Sequence, residues 1–124
     1  VTAELEAALA VLEVLATGDP GAADHVLTAD AVLWHNDGTG EVPAALGFAG
    51  ARAIHDLVDE LQVDVLMAEP IPGGAVMRFE VKGTVKSTGG ELCARNCLFA
   101  TVVDGRITRV DEYTDPTFLT QLGL

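Results

Sequence analysis

Two short runs in this chain of 124 residues carry acids and a guanidinium at strand spacing. Arg78 and Glu80 lie two apart in a stretch of alternating, β-branched residues, so on a strand they share one face. Glu112 shares a face with Val110 and Thr114, and Asn96 shares one with the apolar set Ala94, Leu98 and Ala100. Trp34 and Asn36 share a face in a run from Ala31 to Asn36. If these faces line one cavity, two carboxylates and a guanidinium meet in apolar surroundings. Buried charges are costly unless paired, so such a group would have work to do in proton transfer. Each residue also has a plainer reading. Arg and Glu two apart are often a solvated face or a cross-strand ion pair. A lone Trp is often core, and Asn36 can start the turn at Asp37-Gly38.

Other chemistries lack their residues. There is no phosphate-binding loop, nucleophile elbow, paired CxxC or HExxH. Gly38-Thr39-Gly40 begins like a dinucleotide fingerprint, but Pro43 stands where the third glycine belongs. His25, His35 and His55 share no metal-ligand spacing, so they read as surface or structural histidines and no metal is expected. Cys93 and Cys97 would sit about 13 Å apart on one strand, at roughly 3.3 Å per residue. A disulfide needs Cα atoms within about 7 Å, so two buried free thiols in a reducing cytoplasm are expected. The net charge of −12, from 19 acidic and 7 basic residues, repels phosphate backbones and anionic lipid. Neither a nucleic-acid nor a membrane partner is expected. Glu4, Glu6 and Glu13 stand where a secretion leader would be basic.

The elements that must position these residues follow from periodicity. Leu5, Leu9, Leu12 and Leu15 mark a helix over Thr2–Thr17, closed by Gly18. Asp19-Pro20 should cap a second helix running to about Leu27. A strand over Ala31–Asn36 and a loop through Pro43 follow. Ile54, Leu57, Val58 and Leu61 predict a helix over Ala49–Gln62. Strands are expected at Val63–Ala68, Ala75–Lys86, Glu91–Val103 and Arg106–Thr114. Asp104-Gly105 is the strongest hairpin signal, and Asp115-Pro116 opens a short last helix. The sum is one α+β domain, with helices on one face of a curved antiparallel sheet.

This order of elements, with Trp34-His35-Asn36 after the first helices and Asp104-Gly105-Arg106-Ile107 leading to Glu112-Tyr113-Thr114-Asp115, resembles the SnoaL-like proteins. They belong to the nuclear-transport-factor-2-like superfamily, which includes ketosteroid isomerase and limonene epoxide hydrolase. The resemblance spans essentially the whole chain. It implies a cone-shaped α+β (cystatin-like) fold, a curved mixed or antiparallel sheet wrapped around helices over a deep pocket. The pocket pattern most resembles limonene epoxide hydrolases, through Arg78-Phe79-Glu80, Asn36 and Glu112. Carried over, Glu112 is the base, Glu80 the acid, Arg78 the bridge between them and Asn36 the holder of a water. Trp34, Asn96 and Leu98 would contact the substrate. Glu stands at both positions where those enzymes carry Asp, and Trp34 replaces their water-holding Tyr. An isomerase of the ketosteroid type would need an Asp on the first strand and a Tyr in the first helices. Neither is present, and the lone tyrosine is Tyr113. Polyketide cyclases need chiefly one deep carboxylate, which Glu112 or Glu80 could supply.

The resulting expectation is a cofactor-free enzyme acting on a small hydrophobic, oxygenated molecule by general acid/base catalysis, either epoxide hydrolase-like or polyketide cyclase-like. The alternative is a non-catalytic binding or dimerisation domain of the same fold. Glu80, Arg78 and Glu112 are expected to form one hydrogen-bonded cluster, and any one of them in bulk solvent would collapse the catalytic reading to the binding one. A homodimer through the sheet's outer face is also expected, because the long strands look apolar on both faces, with Val81 and Val85 set against Met77 and Phe79.

Overall fold

The computed structural model describes residues 2–124. The leucine stripe forms α1, Ala3–Thr17. Thr2 Oγ1 accepts the Leu5 amide at 3.1 Å, and Gly18 closes the helix at φ +73° by donating its amide to Val14. That left-handed conformation suits glycine. No second helix follows. Asp19 closes a side-chain turn on the Gly21 amide at 2.9 Å, and only a 3-10 turn at Asp24–Val26 remains. Strand β1 then begins early, spanning Leu27–His35. The expected loop instead contains a short strand, β2 (Gly40–Pro43), antiparallel to β1.

Helices α2 (Ala44–Phe48) and α3 (Gly50–Leu57) follow. The expected helix to Gln62 stops at Leu57, because Val58 is extended and Glu60 adopts φ +54°. Strand β3 therefore runs over Val58–Ile71, bent by irregularities between Asp59 and Gln62 and between Val65 and Met67. Such bulges increase curvature. Strands β4 (Gly74–Val85), β5 (Glu91–Val103) and β6 (Arg106–Tyr113) complete the meander, and α4 (Phe118–Gln121) ends it. Asp104 and Gly105 both have positive φ, as the tight β5–β6 hairpin requires.

The strand order is β2-β1-β6-β5-β4-β3, with β1 and β6 parallel and every other pair antiparallel. β3 is an edge strand, which is why it tolerates Pro70. Helix α1 packs across the inner face of the sheet, against Met77, Phe79, Val81, Leu98 and Val110 of the core. Met77, Phe79, Val81 and Val85 all point inward and are all buried. They share one parity, so they give no evidence of a second apolar face. The outer face takes its apolar character from Leu66, Phe99 and Tyr113, all at least a third exposed, and from Trp34.

No helix among the described residues is long and apolar enough to cross a membrane. Both cysteines are free, but Cys93 is exposed rather than buried. Cys97 is half-buried, and burial pushes its thiol above the ordinary value.

The tightest backbone contact is at Gly74. A Cβ there would lie 1.8 Å from the Ala100 carbonyl oxygen, against the neighbouring strand. Gly74→Ala should destabilise the fold by about 1–3 kcal/mol through overpacking, read as a lower urea midpoint at unchanged slope. Wild-type stability in that variant would contradict the β4–β5 register.

Candidate functional site

Between the inner face of the sheet and α1, α2 and α3 lies a cavity of about 440 Å³. Its helical walls are apolar, with Leu12 and Leu15 from α1, Phe48 from α2 and Ile54 from α3. The polar groups gather where β1 and β6 end, beside the middle of β5: His35, Asn36, Asp37, Asn96, Glu112, Thr114 and Asp115. Phe118 and Leu119 close that end.

At the centre is a pair from two parallel strands. His35 is the last residue of β1 and is in register with Glu112 on β6. Both turn inward, and His35 Nε2 meets Glu112 Oε1 at 2.7 Å. Their side chains keep 27% and 14% of their surface exposed, so the pair is shielded without being sealed. The carboxylate raises the imidazole above its ordinary 6.5, mainly through that hydrogen bond, against the opposing effect of burial. Glu112 Oε2 makes no hydrogen bond to a described residue, and no buried side-chain polar atom among these residues lacks a partner. That second oxygen therefore meets accessible space.

Asn36 acts as a clamp beside the pair. Its Oδ1 accepts from the Thr114 amide at 2.9 Å and from Thr114 Oγ1 at 3.1 Å, while its Nδ2 donates to the Thr114 carbonyl at 3.3 Å. Asn96 is only 9% exposed, and its Oδ1 accepts the Asp115 amide at 3.0 Å. A backbone N–H fixes which end of that amide faces it, so Asn96 Nδ2 is the end left to the cavity. Asp37 and Asp115 each turn back on their own chain. Asp37 accepts from the Thr39 amide and hydroxyl, Asp115 from those of Thr117, and these bonds hold both carboxyls below the usual range.

The segment after β6 is held to β5 by side chains. β6 leaves β5 at Cys97, so Cys93 and Arg95 lack a strand neighbour on that side. Gln121 fills the gap, accepting the Cys93 amide at 2.8 Å and donating to its carbonyl at 3.1 Å. Leu122, 3% exposed, anchors the end.

The expected Glu80–Arg78–Glu112 cluster does not form. On β4, Met77, Phe79 and Val81 face the core, so Arg78, Glu80 and Lys82 occupy the outer face. Glu80 pairs there with Arg95 Nε at 2.9 Å and with Lys82 at 3.7 Å. Arg95 holds the Glu80 carboxyl below the usual range. Arg78 is exposed and has no acid partner among the described residues. Neither can act with Glu112, so the acid and bridge roles assigned to Glu80 and Arg78 fall. Trp34 is also outside, edge-on to Tyr113 at 5.2 Å between ring centres, and cannot contact a ligand in the cavity. Asn36 does border the cavity, but its amide is occupied by Thr114 rather than free to hold a water. Glu112, Asn96 and Leu98 are in the cavity wall. Sequence reasoning missed His35. The alternation Ala31-Leu33-His35 against Val32-Trp34 was the available signal, since Ala31 and Leu33 are the buried pair.

An open curved sheet around one long helix, with a cavity at its heart, is the ketosteroid isomerase-like, nuclear-transport-factor-2-like fold. The chain belongs to the SnoaL-like domain family, whose profile matches residues 8–110. No curated protein matches the sequence. Among solved structures, a protein of ketosteroid isomerase-like fold from Catenulispora acidiphila, in complex with trimethylamine, superposes with a TM-score of 0.76 at 16% identity over 96% of this chain and 93% of that one. A protein from Jannaschia, assigned to the SnoaL-like polyketide cyclases, gives 0.80 at 14% identity, covering 97% and 91%. An epoxide hydrolase of Mycobacterium tuberculosis, of the limonene epoxide hydrolase-like kind, gives 0.70 at 20% identity, covering 98% and 92%. At these identities the likeness is one of fold.

The His35–Glu112 pair has a direct test. By NMR, the His35 ring should titrate above 6.5 and drop on Glu112→Gln. Because the folded-state value is raised, the stability the pair adds is complete below pH 6.5 and is lost as pH rises through that value. A His35 titration unchanged in Glu112→Gln would remove the pair from the site.

Proposed function

We propose that the cavity binds a small, largely apolar, oxygenated molecule and that Glu112 moves a proton on it, with His35 as the partner that orients the carboxylate. The observation that carries this is the 2.7 Å His35–Glu112 contact in the wall of a 440 Å³ apolar cavity. A carboxylate with one oxygen engaged and one free is a positioned base. Asn96 Nδ2 supplies a donor for a ligand oxygen. Proton transfer of this kind calls for no cofactor. Two-acid epoxide opening needs a second carboxyl bridged to the first, and Glu80 is on the other side of the sheet. The one-carboxylate chemistry of a cyclase-like reaction therefore fits better. Two free cysteines suit a reducing cytoplasm.

The expected result is that Glu112→Gln lowers turnover on a panel of cyclic ketones, epoxides and polyketide-like substrates by about 10²- to 10⁴-fold, the usual worth of a positioned base, with the fold intact by circular dichroism. Ligand binding without turnover on any of the panel favours the alternative, a non-catalytic binding domain.

The second reading concerns assembly. Trp34, Tyr113 and Phe99 form an edge-to-face aromatic group on the outer face, beside exposed Leu66. Aromatic residues and Arg are enriched at interfaces. A chain of charge −12 repels its own copy elsewhere, but Arg78, Lys82, Arg95 and Arg109, four of the seven basic residues, are on this face. A homodimer through the outer face is proposed. Sedimentation at micromolar concentration should give a dimer, and Tyr113→Glu should give a monomer. A wild-type monomer would refute this assembly.

A further inference from the structure

We infer that the cavity selects ligands carrying a protonated amine, received by Glu112, over neutral and anionic molecules of the same shape. The inference rests on the cavity being a ligand site, and it adds the charge class of the ligand.

The lining residues carry an unbalanced set of charges. Three carboxylates border the cavity: Asp37 from the β1–β2 turn, Glu112 from β6 and Asp115 from the segment beyond it. Against them stands one imidazole, His35. No Lys or Arg lines the wall, and α1, α2, α3, β4 and β5 contribute no charged side chain to it. Asp37 and Asp115 are satisfied by amides and hydroxyls, which keep them ionised without neutralising them. The cation nearest Asp115 is Arg95, on the outer face, and Arg95 already pairs with Glu80. With His35 charged, the lining still holds two more negative charges than positive ones. Apolar helical walls lower the local dielectric and strengthen that bias.

Two groups give the ligand places to bind. Glu112 Oε2 is free and faces accessible space. Asn96, nine-tenths buried, lines the cavity, and its Nδ2 makes no hydrogen bond to a described residue. An ammonium donates to the first, and a hydroxyl or carbonyl oxygen of the same ligand accepts from the second. An anion would face three carboxylates. Contact with Glu112, and after it the charge of Asp37, favours His35 as an imidazolium, the cation set against Glu112. When an ammonium takes that part, His35 no longer needs its charge and gives its proton to solvent. Binding of the amine therefore releases protons near neutral pH, and binding of a neutral ligand does not.

The test is calorimetric titration of the whole chain with three probes of one skeleton: 2-phenylethylamine, 2-phenylethanol and phenylacetate. The amine should bind about ten- to a hundredfold tighter than the alcohol, the usual worth of a hydrogen bond to a charged group, and phenylacetate should bind weakest. Glu112→Gln should remove most of the amine's advantage, leaving the smaller part that Asp37 and Asp115 supply. Repeating the wild-type amine titration in two buffers of different ionisation heat should show proton release, which His35→Asn should abolish while the preference for the amine remains. The buffer comparison needs no variant, so it decides the matter even if Glu112→Gln fails to fold. If the alcohol binds as tightly as the amine, or the amine's advantage is undiminished in Glu112→Gln, charge selection by Glu112 is wrong while the cavity reading stands. If none of the three probes binds, both are wrong.

Discussion

The parallel pairing of β1 with β6 is the constraint on which the rest of the site depends. In an otherwise antiparallel sheet, it brings together two strands that end in the same direction. His35 and Glu112 therefore leave the sheet side by side, and the residues after them, Asn36 and Thr114, meet and lock. An antiparallel partner would have set the end of one strand against the start of the other and separated these groups. The cavity opens where both strands stop, so the same pairing that makes the acid–imidazole contact also places it at the mouth of the cone. Helix α1 and the apolar faces of β4 and β5 then supply walls that strengthen whatever charge stands there.

Most of the architecture was legible in local patterns. The leucine stripe and Gly18 gave α1, and alternation gave β4 and β5. Asp104-Gly105 gave the last hairpin. The errors came where local propensity met tertiary demands. Asp19-Pro20 looks like a helix start, but the turn it makes is consumed in delivering the chain to β1. The period through Leu61 looks helical, but β3 takes those residues as the bent edge of the sheet. β2 is four residues long and contains both a glycine and a proline, so no pattern could develop in it.

The site was only half legible, and the reason is parity. Glu112, Asn96 and Leu98 were identifiable because each shares a face with residues that must be buried. The same rule applied to β4 would have placed Arg78 and Glu80 outside, since Met77, Phe79 and Val81 alternate with them. A pattern borrowed from epoxide hydrolases hid that alternation. His35 needed two facts that no single strand contains: which face of β1 is covered, and which strand runs beside it. Chemistry built across distant strands is where a linear reading is weakest.

Gln121 has a consequence for the life of the protein outside its function. Where β6 parts from β5, the backbone of Cys93 is satisfied by one side-chain amide acting as a single rung of a missing strand. A bare strand edge is a template for another chain. Protection against edge-to-edge stacking at this point thus depends on the resting position of a short terminal helix, which Leu122 alone ties to the core by a buried side chain. Fraying at that helix, far too small to register as unfolding, is enough to offer the edge to a neighbour. Deamidation to Glu would replace the donor to the Cys93 carbonyl with a negative charge.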